Sequence, residues 1–101
     1  MDLQPFDAND PCNRVADRLR KDVAAIVQRN MRSADYRKLT SAEQIEATAA
    51  GLMTGVIGVL FAHIEDGGRD ALMEWLVGYL PQARAQAEGI FADALARASR
   101  H

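Results

Sequence analysis

Cysteine is almost absent from this chain. Cys12 is the only one among 101 residues, so no disulfide can close within the chain, and a reducing compartment, the cytoplasm, is the expected location. Three prolines and seven glycines, scattered and without period, exclude a collagen-like or low-complexity chain. No stretch alternates apolar and polar residues with period two over enough positions to suggest a sheet. There is no internal repeat. The opening MDLQPFDANDP has neither positive charge nor an apolar run, and it does not read as a secretory leader.

The residues that chemistry requires are equally sparse. No His-x-x-x-His, Glu-x-x-His or cysteine pair supplies metal-ligand spacing. His63, Glu65 and Asp66 are neighbours, with Asp70 and Glu74 following, and they read as wet charges at a helix end. Cys12 has no base or orienting group implied beside it and reads as a small apolar residue on a buried stripe. No glycine-rich loop cradles phosphate; Gly67-Gly68 reads as a helix stop. The sequence therefore predicts a protein that is not an enzyme, with no catalytic residue, no metal and no cofactor.

What is present is the signature of a folded helical chain. Apolar residues make up 49% and charged residues 26%, which places the chain with globular proteins rather than disordered ones, and residues 1–101 are expected to form a single domain. Net charge is −2, yet it is unevenly spread. Residues 10–38 hold eight basic residues against four acidic ones, whereas residues 39–101 hold four arginines against eight acids.

Residues 1–9 are expected to form an extended arm, because Pro5 and the lack of any period argue against a helix. Asn9-Asp10-Pro11 then supplies a cap and a proline at the first helical position. Cys12, Val15, Ala16, Leu19, Val23, Ile26, Val27 and Met31 follow at three- and four-residue steps, which predicts a helix over about 11–34 with that face buried. Tyr36 to Leu39 reads as a connector. Thr40-x-x-Glu43 fits a capping box and opens a second helix, over about 42–65, closed by a left-handed glycine at Gly67 or Gly68.

The second helix holds the longest apolar run, Ala47 to Ala62, sixteen residues without charge or proline. It is expected at the centre of the fold, buried on most sides. Within it Ala47, Gly51, Gly55, Gly58 and Ala62 form a strip of small residues. Interior glycines each cost about 1 kcal/mol against alanine, so the strip predicts close approach by another backbone, from this chain or from a second copy. Sixteen residues fall short of the roughly twenty needed to cross a bilayer, so membrane insertion is not the preferred reading, although Gly51-x-x-x-Gly55 matches a membrane dimer motif. A helix-turn-helix is rejected, because residues 58–64 offer no arginine, lysine, asparagine or glutamine for base edges.

After Arg69, Leu72, Trp75, Leu76, Tyr79 and Leu80 share one face, which reads as core. Pro81 follows a weakening Gly78, and a break is expected there, giving helices over about 69–80 and 82–99. The resulting fold class is all-α: a small bundle of three long helices, the last broken near Pro81, completed by dimerisation.

In size and helical pattern the chain resembles small bacterial or phage-encoded accessory proteins. The Trp-x-Gly turn of secreted helical-hairpin proteins is not matched, because Trp75 is followed by Leu76, Val77 and Gly78. The function expected is that of a protein-interaction module, a regulator or inhibitor that occludes a protein partner and also pairs with itself. Partner contact is assigned to Arg14, Arg18, Lys21, Arg29 and Arg32 on the first helix and to Trp75 and Tyr79. The runner-up is nucleic-acid association through the same basic face; a peripheral membrane protein is the minor alternative.

Overall fold

The structure, a computed structural model, describes Asp7 and residues 9–99. It confirms the all-α class: four α-helices and no strand among the described residues. Helix α1 spans Pro11–Met31, α2 Ala34–Arg37, α3 Ser41–Phe61 and α4 Arg69–Ser99, with a 3-10 turn at Asp66–Gly68. Apart from Asp7 and Asn9, the expected arm lies outside the described residues, as does the end of the C-terminal tail at Arg100 and His101.

Local chemistry sets each boundary. At the start of α1, Asp10 Oδ1 accepts from the Cys12 N–H at 2.9 Å, satisfying a donor that the first turn cannot. The helix ends at Met31, three residues short of the expected limit. Asn30 Nδ2 bonds back to the Ile26 carbonyl at 2.8 Å, and the Arg32 and Ser33 N–H groups switch to acceptors three residues back. Ser33 Oγ then accepts from the Tyr36 N–H at 3.2 Å and caps α2, so the expected connector contains a short helix.

The capping box of α3 is complete. Thr40 Oγ1 accepts from the Glu43 N–H at 3.2 Å, and the Thr40 N–H donates to Glu43 Oε1 at 2.9 Å. These bonds favour the charged carboxylate and hold the Glu43 pKa below its ordinary value.

The far end of α3 differs from expectation. The helix stops at Phe61 rather than near residue 65, and no described glycine has positive φ. The termination is made by tightened backbone bonds, Ala62 N–H to Val59 O and His63 N–H to Leu60 O, and by His63 Nδ1 donating to the Val59 carbonyl at 2.8 Å. Glu65 is extended, and Gly67 and Gly68 lie in the 3-10 turn that leads into α4. There Asp66 pairs with Arg69 at 3.1 Å, and the Arg69 guanidinium lies 4.9 Å over the Phe61 ring.

Pro81 does not break the last helix: α4 runs through it for 31 residues. Pro81 has no N–H for the Val77 carbonyl, a loss that costs about 3 kcal/mol in a helix interior. Side chains span the weak turn. Tyr79 Oη donates to Gln86 Oε1 at 2.7 Å, and Arg84 Nε pairs with Glu88 Oε1 at 2.8 Å. Good helix formers from Gln82 to Ala87 carry the turn onward.

The chain packs as two compact units. Among the described residues, one joins those up to Arg20 to those from Leu72 onward, and the other holds residues 21–71. In the first, α4 has a half-covered row at Leu72, Leu76, Tyr79, Ala83, Gln86 and Ile90, and α1 contributes half-covered Asn13, Ala16, Asp17 and Arg20. Val15 and Leu19, expected inside, are exposed, because the covered row of α1 lies one residue further on. In the second, Val23 and Val27 of α1, Tyr36, Leu39, and Gln44, Thr48 and Leu52 of α3 are half-covered, and Gln44 Nε2 donates to the Tyr36 carbonyl at 3.1 Å. No described residue is fully buried in either unit.

Replacing Thr40 with alanine removes the cap and is expected to lower stability by about 1 kcal/mol in urea titrations. Glu43 contributes stability above its ordinary pKa, and that contribution disappears as pH falls through its lower folded value. Wild type is therefore expected to lose stability with acid in that range, below about 4.5, relative to Glu43→Gln, which a pH series of urea midpoints measures. Pro81→Ala restores the missing donor and is expected to raise stability by up to about 3 kcal/mol; a lowered midpoint would show that α4 needs its proline.

Candidate interaction surface

Helix α3 was expected at the centre of a bundle, yet none of its residues is buried. Ile45 is 72% exposed, and Met53 and Val59 are each 61% exposed. The cause is geometric. Its apolar residues surround the helix, whereas only Gln44, Thr48 and Leu52 in its first half and Ile57, Leu60 and Phe61 in its second are half-covered.

The strip Ala47, Gly51, Gly55, Gly58 and Ala62 is exposed along its length. A Cβ built at Gly51, Gly55 or Gly58 would meet nothing within 4 Å. The close backbone approach expected there is therefore not made by the described residues of this chain. Ala47 and Gly51 instead line an open groove of about 480 Å³ within the second unit. Ile26, Val27 and Asn30 of α1 form one side; Thr48 and Leu52 join the strip on the other; Ser33, Asp35, Tyr36 and Leu39 complete the lining. Periodicity did not reveal this groove, because it forms where three helices meet and no single repeat encodes it.

The basic residues are divided between the two units. Arg14 and Arg18 lie on the first half of α1, Lys21 and Arg29 on the second, and Arg32 in the turn beyond. Arg14 and Lys21 already have interaction partners. Arg20 pairs with Asp17 at 2.9 Å among them. No aromatic residue lies between 10 and 35 to stack a base.

Trp75 was expected in the core and is 61% exposed. It stands one position off the covered row of α4. Its ring stacks on Tyr79 with centroids 5.1 Å apart and an angle of 11° between planes. Tyr79 is half-covered and held by Gln86, so the pair forms a fixed aromatic plate on α4.

No group of three or more His, Cys, Asp or Glu residues capable of holding a metal occurs among the described residues. Cys12 is a free, exposed thiol rather than part of a buried stripe. One helix, α3, is long and apolar enough to cross a membrane by length and composition. Comparison with protein-family models, with curated proteins and with solved structures gives no match.

Because no described residue fills the space beside Gly55, Gly55→Ala is expected to stabilise the isolated protein by about 0.5–1 kcal/mol through helix propensity. Urea denaturation of the two proteins measures the difference, and a destabilised variant would show that another backbone already occupies the strip.

Proposed function

We propose that this chain is a non-enzymatic protein-interaction module, a small regulator or inhibitor that lays α3 against a partner protein and occludes the partner's surface. The observation that supports this reading is the exposure of α3, the most apolar stretch of the sequence. A helix with apolar side chains on all sides is stable in water only when neighbours cover it. The groove beside Ala47 and Gly51 suits the recognition mode in which an amphipathic helix sets side chains into an apolar channel. The strip of small residues would let that helix approach closely.

A second reading has its own observation. Helix α3 has 21 residues and a mean hydropathy of 1.4 over its apolar window. At 1.5 Å per residue it is about 31 Å long, close to the thickness of a bilayer's hydrocarbon core, with Glu43 and Glu46 in its first two turns. On this reading the bilayer covers α3. Nucleic-acid association has only the sequence charge of α1 behind it, and interleaved acids oppose it.

One experiment separates the readings. A photo-crosslinking side chain placed at Met53 or Val59 in the native host is expected to give a protein adduct of defined mass, lost when Gly55 is replaced by leucine. Retention of the chain in alkali-washed membranes would favour the bilayer instead. A chain that stays soluble and yields no protein adduct would overturn the docking proposal.

A further inference from the structure

Helix α4 carries a second apolar row that the chain leaves open. One position beyond its half-covered row, Met73, Val77, Leu80, Arg84, Ala87 and Phe91 succeed one another at alternating steps of four and three. Val77 is 63%, Leu80 62% and Phe91 65% exposed. These steps put the row on one face of the helix, a spacing compatible with packing in which the side chains of one helix enter gaps on another. A small ligand imposes no such spacing. Ala94 and Ala98 continue it toward the end of the helix.

The register points to the occupant. If a second copy of α4 lies antiparallel, with the two-fold axis between Ala85 and Gln86, Met73 faces Ala98 of the other copy and Val77 faces Ala94. Leu80 faces Phe91, and Arg84 faces Ala87. Three of the four layers then set a larger side chain against the methyl group of an alanine. The single charge in the row meets alanine, whereas parallel pairing in register would press Arg84 against its own copy. Charge agrees with this choice. Arg84 and Glu88 pair at 2.8 Å on the exposed face of one chain. Across this axis each guanidinium also reaches the other copy's Glu88, so two opposite-charge pairs become a four-member network.

We propose that α4 is a self-association helix, and that two copies of this chain pair antiparallel through the row from Met73 to Ala98. The proposal stands independently of the partner assigned to α3.

Register-specific disulfides test it. In a Cys12→Ser background, Leu80→Cys and Phe91→Cys chains are mixed and oxidised. The expected product is the mixed 80–91 dimer. Preferential 80–80 and 91–91 products would overturn the antiparallel register. Sedimentation at high micromolar concentration is expected to give a dimer, and a monomeric wild type would overturn the pairing itself. Arg84→Glu is expected to weaken dimerisation about tenfold, with recovery in the Arg84→Glu, Glu88→Arg double variant. Helicity measured alongside distinguishes lost pairing from lost folding. A folded Arg84→Glu variant that dimerises as tightly as wild type would remove Arg84 from the interface and overturn the register.

Discussion

Burying a valine, isoleucine or methionine side chain contributes about 1.5–3 kcal/mol, and the exposed part of a side chain gains nothing. Ile45, Met53, Val56 and Val59 all remain exposed on α3. Covering them would stabilise the helix by roughly 4–7 kcal/mol, comparable with the whole stability of a small domain. The uncovered apolar surface of α3 is thus a large unmet demand, beside that of α4, where Trp75, Val77, Leu80, Phe91 and Leu95 are also exposed. The glycines of α3 sharpen the demand, because they weaken that helix while no described residue packs beside them.

The helices themselves depend on closer-range forces. Asp10, Ser33 and Thr40 each satisfy an N-terminal donor, and His63 bonds the carbonyl of Val59 at the end of α3. Tyr79 and Gln86 bridge the turn that Pro81 weakens. These bonds define where elements begin and end. Lateral packing is confined to about one row of side chains per helix. Exposed or half-exposed ion pairs such as Arg20–Asp17 and Arg84–Glu88 add little to stability by themselves.

The features legible in the sequence were those governed by neighbours in the chain. Thr40-x-x-Glu43 opened α3 as read, because a capping box is complete within four residues. The start of α1 at Pro11 followed from the same kind of local rule. The end of α3 escaped because a histidine side chain and tightened backbone bonds replaced the glycine termination. The continuity of α4 through Pro81 is not legible in the sequence, where only the local penalty shows, whereas the Tyr79–Gln86 bond across it needs the helix already formed. Trp75 and Leu19 show a further limit. Periodicity finds apolar rows, but on α1 and α4 two rows lie side by side, and only packing chooses which one is covered. The small-residue strip was legible as a face, while the groove at its edge depends on how α1, α2 and α3 meet.

The stacked Trp75 has a consequence for observing this molecule. It is the only tryptophan, and it lies on α4 against Tyr79, within the unit that contains most of that helix. Its emission therefore reports the local state of α4 rather than an average over the chain. Circular dichroism weights α1, α3 and α4 by their lengths. Comparing the two signals during melting separates the last helix from the rest without any added label, so the chain carries its own means of distinguishing a single cooperative transition from two.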